Sequence, residues 1–293
     1  MGSRALRIIT VIGCAAAVLL HGPAANGQAN EAWTRPFPPF KLIGNIYWVG
    51  SYDLSTYLVT TPQGHILINT GVGDTAQRIK AGVEQLGFKM ADVKILTATH
   101  GHWDHVAGLA ALKKMTGAAL VASEPDKELL ESGGKSDFRF GNVESSWFEP
   151  VKVDRTFADG GTLSLGGTTL TTHLHPGHTR GATSFTTEVR ENGKTYRVVI
   201  ANLGSINPGV TVTGMPAYPG IERDYARTFA AQRAMTIDVF LASHASQFGM
   251  HEKYKPGDPY TPDRFVDPKG FLAAVTRLEK LYLDQVAKER AAK

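Results

Sequence analysis

The chain has 293 residues, of which 42% are hydrophobic and 20% are charged, and its formal net charge is +4. This composition excludes an intrinsically disordered protein and supplies enough apolar residues for a full core. Lysine and arginine are scattered along the sequence and do not form a basic patch interleaved with aromatic residues. The chain is therefore not expected to bind nucleic acid.

Residues 1–28 are predicted to be a secretory signal peptide. Arg4 and Arg7 precede an apolar stretch, Ile8 to Leu20, which is followed by small residues. The stretch is shorter than the roughly 20 residues of a membrane-spanning helix, which argues against an uncleaved anchor. Loss of the two arginines reduces the 31 basic residues to 29, against 27 acidic residues. We therefore expect a periplasmic protein that has no membrane association after cleavage and acts on a small-molecule substrate.

The single cysteine, Cys14, lies in the predicted signal peptide. Val11 to Cys14 resembles a lipoprotein-processing site, but the apolar run continues to Leu20, so Cys14 does not close the hydrophobic region as a lipidated cysteine does. Cleavage near Ala29 removes it. The mature chain, residues 29–293, is predicted to be a single domain and a monomer, with neither a disulfide nor a thiolate metal ligand.

Predicted strands and helices alternate along the mature chain. Short apolar or alternating segments between turn residues indicate strands, and apolar residues at helical spacing indicate helices. The predicted strands are 46–49, 56–59, 65–69, 93–99, 118–122, 163–165, 168–174, 184–189, 196–201 and 239–242, and the predicted helices are 75–86, about 104–115, 224–235 and 271–288. This alternation predicts a layered α/β fold.

The run His-Gly-His-Trp-Asp-His, from His100 to His105, places four metal-ligating side chains directly after a predicted strand. His100 and His102 alternate with a period of two residues, so in an extended segment both imidazoles point into one cleft. Asp104 and His105 begin the following helix and reach the same space from the other side. Imidazole together with carboxylate suits zinc, so the run predicts two metal sites rather than a solvated histidine-rich loop.

Histidines at two further strand ends are the candidates that complete the sites. His178 follows a Pro-Gly turn, which ends a strand and directs the next side chain off its end, and His175 is the alternative third ligand of the first metal. His244 ends an apolar strand, the placement that His100 also has, with a buried core histidine as the alternative. The remaining histidines are assigned no ligand role: His21, His65, His173 and His251.

This constellation resembles the metallo-β-lactamase superfamily over essentially the whole mature chain. The resemblance implies the four-layer αβ/βα sandwich of that superfamily. It is closer still to the third subclass of zinc β-lactamases, whose second metal is held by aspartate and histidines without cysteine. Carried onto this sequence, the resemblance assigns the first Zn²⁺ to His100, His102 and His178, and the second Zn²⁺ to Asp104, His105 and His244.

The resemblance also implies the activity, an exported enzyme that hydrolyses the β-lactam amide with zinc-activated hydroxide. Asp104 is the candidate catalytic residue, since it orients the second zinc and can hydrogen-bond the nucleophile. Related thioesterases and many lactonases carry a further aspartate that bridges both metals, whereas Val198 to Ser205 contains no acid. This difference favours a β-lactamase. The alternatives are a zinc hydrolase of lactones or thioesters and a periplasmic zinc-binding protein without catalysis.

Other features bear on the predicted site. Asn69 stands where the superfamily usually has aspartate, and such a change beside a metal site can alter metal affinity by about 10- to 100-fold. The irregular stretch from Leu129 to Pro150 has the length of a lid. Within it, Ser132 and Lys135 match the serine-nucleophile motif of another β-lactamase class, but two adjacent glycines oppose the helix start that this motif needs, so the match is attributed to chance.

Overall fold

A computed structural model describes residues 30–73 and 75–293. The predicted signal peptide, residues 1–28, lies outside the described residues. The signal peptide and the domain boundary that it sets therefore remain predictions. Within the described part of the chain, the helices are too short or too polar to cross a membrane.

The first sheet has seven strands that follow one another in chain order. β1 to β4 pair antiparallel, whereas β4 to β7 pair parallel. The strands are β1 (Phe40–Ile43), β2 (Ile46–Trp48), β3 (Tyr57–Thr61), β4 (Gly64–Ile68), β5 (Val93–Thr97), β6 (Ala119–Ser123) and β7 (Arg155–Phe157). β1 and β7, which lie at the two edges of the sheet, were not predicted from the sequence.

The second sheet has five strands in the order β12-β11-β10-β9-β8. β8 to β11 pair antiparallel, and β12 pairs parallel with β11. The strands are β8 (Thr162–Leu165), β9 (Thr168–Leu174), β10 (Thr183–Glu191), β11 (Lys194–Ala201) and β12 (Val239–Ala242). Because β9 and β11 both run antiparallel to β10, and β12 runs parallel to β11, the C-terminal ends of β9, β11 and β12 lie at the same end of the sheet.

The helices are α1 (Glu31–Thr34), α2 (Ala76–Gln85), α3 (Trp103–Val106), α4 (Leu109–Thr116), α5 (Lys127–Glu131), α6 (Ile221–Ala234), α7 (Met250–Lys253) and α8 (Pro268–Ala291), with 3-10 turns at Met90–Asp92, Glu124–Asp126, Glu144–Ser146 and Ala245–Phe248. The helix α8 begins before the predicted Phe271, because the Asp267 carboxylate accepts from the Gly270 N–H and Pro268 occupies the first helical position.

The layers are visible in the alternation of buried side chains along β4. Ile66 and Ile68 belong to the core between the two sheets, whereas Leu67 belongs to the cluster under α2 and α4. On the other side, α6 and α8 add residues such as Phe229 and Val275 to the core of the second sheet. The fold is thus the predicted αβ/βα sandwich. A fully buried aliphatic or aromatic side chain of this kind contributes about 1.5–3 kcal/mol.

The predicted helix over about 104–115 is interrupted after α3, and this break is a correction to the sequence analysis. The His105 carbonyl accepts from the Thr70 N–H at 2.7 Å and from the Thr70 hydroxyl at 3.1 Å. The Gly108 N–H then donates to the same hydroxyl at 3.0 Å. Because Thr70 supplies partners to both groups, the chain leaves the helix at Ala107 and restarts in α4 at Leu109.

Hydrogen bonds at the ends of strands join the two sheets. The Thr183 N–H donates to the Thr99 carbonyl at 2.7 Å, and the Tyr57 hydroxyl donates to the Ala242 carbonyl at 2.6 Å. The segments that follow β5, β9, β11 and β12 therefore emerge side by side. Functional residues of layered α/β folds collect at such strand ends, and all the candidate ligands lie here.

Candidate metal centre

A first cluster brings together His100, His102 and His178, although His102 and His178 are 76 residues apart in sequence. One ring nitrogen from each histidine lies within 4.8 Å of the others, and His102 Nδ1 lies 3.2 Å from His178 Nε2. The turn before His178 depends on Gly177, whose φ is +132° and where a Cβ atom would lie 2.8 Å from the ring of Tyr225. The local sequence thus directs His178 into the cleft, as predicted from the Pro-Gly turn.

His175, the alternative third ligand, is buried outside this cluster. Its Nδ1 lies 2.7 Å from the Ser184 hydroxyl and 3.2 Å from the Gln232 side-chain nitrogen. Burial lowers the pKa of His175 to about 3. Between the alternatives that the sequence left open, the geometry favours His178, and His175 is a neutral core histidine.

The burial of His175 predicts a dependence of stability on pH. Its pKa is about 3 in the folded protein and about 6.5 in the unfolded chain, so the unfolded chain binds the extra proton between these values. The contribution is therefore fully present above pH 6.5 and is lost as the pH falls toward 3. Relative to a His175→Gln variant, the unaltered protein should lose about 2 kcal/mol of unfolding free energy between pH 7.5 and 5. Denaturant unfolding of both proteins checks this; parallel pH profiles would contradict it.

A second cluster, formed by Asp104, His105 and His244, lies in the same cleft and adjoins His100. His100, Asp104 and His105 each offer a ligand atom within 4.8 Å of the others. His105 Nε2 lies 3.1 Å from Asp104 Oδ2, and His244 Nε2 lies 3.7 Å from the same oxygen. His244 lines the cleft and packs its ring 4.9 Å from that of His105, so it is not a histidine of the apolar core. The structure therefore brings all the sequence-predicted ligands together.

The chemistry of these side chains fits a bound metal. Among the described residues, His100 Nε2 and His105 Nδ1 are buried without a hydrogen-bond partner, and His105 Nε2 has the Asp104 carboxylate beside it at 3.1 Å. Buried ring nitrogens normally have a hydrogen-bond partner. Nitrogens that lack one and lie together in these clusters are typical of metal-ligand atoms. Burial, with the neighbouring histidines, lowers the pKa values of His100 and His178 and so favours the neutral imidazole that a metal needs.

Carboxylates that the sequence analysis did not identify support the candidate ligands. Asp53 Oδ2 lies 3.1 Å from His244 Nδ1, and Asp137 Oδ2 lies 3.2 Å from His102 Nε2. In each case the other ring nitrogen is left to face the cleft, which is the usual arrangement around a metal-ligating histidine. Burial raises the pKa of Asp53, but the hydrogen bond and charge of His244, together with hydrogen bonds from Ser246, outweigh burial and lower the pKa to about 2. The third histidine, His178, has its Nδ1 2.8 Å from the Ser205 carbonyl oxygen.

Replacing Asp53 with asparagine should weaken metal binding at the second cluster by about 10- to 100-fold, because His244 loses the anion that orients its ring. Asp137→Asn is the matched variant. It should weaken metal binding at the first cluster by a similar factor, because His102 loses the carboxylate that orients its ring. Competition with a chromophoric chelator measures the two affinities. Equal loss at both clusters in each variant would contradict this division.

Two asparagines contact Thr99 at strand ends where relatives are expected to have aspartate. Asn69 has a φ of +63°, and its side-chain oxygen accepts from the Thr99 N–H at 2.8 Å, directly before His100. The amide thus supports the ligand loop despite its lack of charge. Asn202, which follows β11, lines the cleft and donates to the Thr99 carbonyl at 3.0 Å. A neutral amide therefore lies at the strand end where thioesterase relatives are expected to have a bridging aspartate.

The cleft has a volume of about 180 Å³. Aromatic and polar side chains surround the candidate ligands: Trp33, Trp103, Phe140, Ser205, Asn207 and Gln247. Phe140 comes from the irregular stretch that was predicted to act as a lid, and it packs 5.2 Å from the ring of His102. A larger groove of about 710 Å³ on the outer face of the second sheet contains none of the candidate ligands.

The Ser132 and Lys135 match does not form a nucleophilic pair. The Ser132 hydroxyl donates to the Leu129 carbonyl at 3.2 Å and accepts from the Ser136 N–H at 3.0 Å. The Lys135 ammonium instead lies 4.7 Å from the centre of the Trp147 ring. Both residues have structural contacts, which agrees with the interpretation of this match as chance.

Comparison with known proteins identifies the family. The pattern of the metallo-beta-lactamase superfamily matches residues 52–190. The class B3 di-zinc metallo-beta-lactamase LRA-12 from an Alaskan soil metagenome is 43% identical, with a TM-score of 0.85 over 88% of this chain and 97% of that chain. The metallo-beta-lactamase GOB-18 from Elizabethkingia meningoseptica is 41% identical, with a TM-score of 0.87 over 89% of this chain and 96% of that chain.

A curated relative, hydroxyacylglutathione hydrolase GloC from Haemophilus influenzae, is 36% identical over 115 residues. These residues are 39% of this chain and 51% of the relative, so the chain spans about half the length of that relative. The solved structures, by contrast, are matched over nearly their full lengths. The chain belongs to the metallo-beta-lactamase superfamily, and within that superfamily it resembles the subclass B3 enzymes.

Proposed function

We propose that the protein is an exported β-lactamase that binds two zinc ions and hydrolyses the β-lactam amide bond. The observation that carries this proposal is the cleft itself, in which imidazoles and one carboxylate form two adjoining clusters without cysteine and with Asn202 in place of a bridging acid. The similarity to zinc β-lactamases over nearly the whole of their length supports it.

The proposed ligands of the first zinc are His100, His102 and His178, and those of the second are Asp104, His105 and His244. When bound, zinc polarises a carbonyl oxygen and lowers the pKa of water to about 7. Such a site attracts an anionic small molecule, because two divalent ions carry more charge than the carboxylate of Asp104 together with the neighbouring carboxylates of Asp53 and Asp137. This agrees with the carboxylate that β-lactams carry.

The contribution of Asp104 follows from its charge. Burial raises the pKa of Asp104, but the charge and hydrogen bond of His105, together with the charges of His244 and His102, outweigh burial and hold the pKa well below its usual range. Asp104 is therefore a carboxylate at neutral pH. Its Oδ2 can accept a hydrogen bond from an attacking water, but the side chain cannot act as an acid. We assign it the roles of ligand and of hydrogen-bond acceptor that orients the water.

The other residues that line the cleft are proposed to exclude water and to contact the substrate. Trp33 and Trp103 pack edge to face, 5.9 Å between ring centres, and shield one side of the clusters from bulk water. Trp33 also packs 5.9 Å from the ring of His244. On another side, the hydroxyl of Ser205 and the amide of Asn207 offer hydrogen-bond donors to a polar substrate. Exclusion of water strengthens the electrostatic interactions inside the cleft.

Export and location are part of the same proposal. The positively charged start, the apolar stretch and the small residues of the first 28 positions support a cleaved signal and a periplasmic location. We propose that the mature protein is a monomer, free of the membrane, and that its substrate diffuses to it. N-terminal sequencing of the protein recovered from the periplasm, with a new start near residue 29, tests this part.

A hydrolase of lactones or thioesters is the second candidate, favoured by the partial match to hydroxyacylglutathione hydrolase. A substrate panel separates the two functions. The zinc-loaded protein is given a carbapenem, a penicillin, a lactone and a glutathione thioester under identical conditions, and kcat/KM is measured for each. The proposal predicts that a β-lactam gives the highest value. A thioester or lactone turned over faster by tenfold or more would favour the second candidate.

A further inference from the structure

Asp126 is a buried carboxylate in the 3-10 turn that follows β6, and it takes no part in the ligand clusters. Its Oδ2 accepts from the Gly101 N–H at 2.9 Å and from the Thr179 hydroxyl at 2.8 Å, and its Oδ1 accepts from the Gly181 N–H at 2.7 Å. Only 3% of its surface is exposed. Donors therefore hold both oxygens of the Asp126 side chain at a site that is closed to solvent.

The donors belong to the two loops that carry the first cluster. Gly101 lies between His100 and His102, and Thr179 directly follows His178. Beyond the hydrogen bond from Thr183 to Thr99, these loops leave the sheets and have no strand pairing to fix their separation. The carboxylate of Asp126 is thus a direct polar link between the two loops.

Close packing around Asp126 restricts how far the two loops can move relative to its carboxylate. At Gly181 a Cβ atom would lie 2.7 Å from Asp126 Cγ, so only glycine lets the backbone approach the carboxylate this closely. At Gly101 a Cβ atom would lie 2.7 Å from a methyl carbon of Leu129. Both approaches are set by packing against the 3-10 turn and the helix α5 that follow β6, which favours a fixed distance between the loops.

We propose that Asp126 is a positioning residue for the first metal site, because it fixes the spacing between the loop of His100 and His102 and the loop of His178. This inference rests on the metal binding in the proposed function, but not on the identity of the substrate. It distinguishes Asp126 from Asp137 and Asp53, each of which orients a single imidazole ring.

Asparagine is the informative replacement because it keeps the size of the side chain. An amide offers one acceptor oxygen and an NH₂ group, whereas the site presents donors to both oxygens of Asp126. In either orientation the amide therefore places its NH₂ group against a backbone N–H. One contact becomes repulsive, and the two loops are expected to separate.

The test uses the full mature chain with the metal alone. We expect Asp126→Asn to weaken zinc binding at the first cluster by about 10- to 100-fold while the second cluster changes less, as measured by competition with a chromophoric chelator. The visible absorption of the Co²⁺-loaded protein should also change in position or intensity, since the geometry of the histidines changes. Thr179→Val should give a smaller loss of zinc affinity, and Thr179→Ser should restore it.

Asp154→Asn is the matched control. Asp154 also holds a backbone N–H, that of Leu120 at 2.8 Å, and pairs with Lys113 at 2.6 Å, but it contacts neither ligand loop. It should change thermal stability without changing zinc affinity or the cobalt spectrum. Should Asp126→Asn fail to fold, the Thr179 pair decides the question with the same readouts.

Unchanged zinc affinity and an unchanged cobalt spectrum in a folded Asp126→Asn protein would overturn the inference, as would equal losses in Asp154→Asn. A protein that binds zinc but hydrolyses no β-lactam would remove the proposed substrate and leave this inference intact. The two failures are thus distinguishable.

Discussion

Replacing His178 with alanine should lower kcat/KM for β-lactam hydrolysis by more than about 1000-fold. The residue supplies one of the three imidazoles of the first cluster, with its ring 4.6 Å from that of His100 and 4.8 Å from that of His102. A metal contributes several kcal/mol of transition-state stabilisation, and about 4 kcal/mol corresponds to a factor of about 1000. Steady-state kinetics with a penicillin or a carbapenem, at saturating zinc, measures the change.

The matched control is His175→Ala. His175 lies on the same segment but contacts Ser184 and Gln232, so its loss should reduce stability and leave kcat/KM of the folded protein nearly unchanged. Equal losses of activity in the two variants would contradict the assignment of His178. If the unaltered protein binds zinc tightly but turns over no substrate, so that neither variant changes a reaction rate, the protein is a zinc-binding protein without catalysis.

Replacing Asp104 with asparagine should lower kcat/KM by about 100-fold or more and should reduce the zinc content from two ions toward one. The change removes the one carboxylate among the proposed ligands, whose Oδ2 lies close to both His105 and His244. A positioned acceptor for the attacking water contributes about 10²- to 10⁴-fold, so the loss of rate follows even when zinc is in excess. Kinetics and elemental analysis of the same preparation measure the two effects.

Asp159→Asn serves as a control for the change of charge, because Asp159 is an exposed carboxylate whose Oδ1 accepts from the Leu174 N–H at 2.8 Å, away from the cleft. It should leave zinc content and kinetics unchanged. An Asp104→Asn protein with full activity and two zinc ions would contradict the role given to Asp104.

The candidate ligands were predictable because their signals are local. The density of histidine in His100 to His105 and the turn before His178 each occupy a few adjacent residues, and the end of an apolar strand gave His244. Short apolar or alternating segments likewise predicted the central strands of both sheets. Where the two faces of a strand pack on different layers, as along β4, the pattern is continuous and still indicates a buried strand.

The supporting residues were not predictable in the same way. Asp53 meets His244 across 191 residues, and Asp126 meets Gly101 across 25 residues and Thr179 across 53. An aspartate in a loop is usually solvated, and nothing in its neighbours along the chain indicates a distant imidazole or amide. The break between α3 and α4 has the same origin, since the partner of the His105 carbonyl is Thr70 from another loop.

Zinc binding and β-lactam hydrolysis are expected to be inseparable in this protein. The most direct measurement follows hydrolysis of a chromogenic cephalosporin by the purified mature chain before treatment with a chelator, after the metal has been removed, and after zinc is restored, with the zinc content determined at each stage. The predicted result is hydrolysis that is abolished by the chelator and recovered as zinc returns toward two ions per chain. A folded protein that binds zinc and shows no turnover of any β-lactam would contradict it.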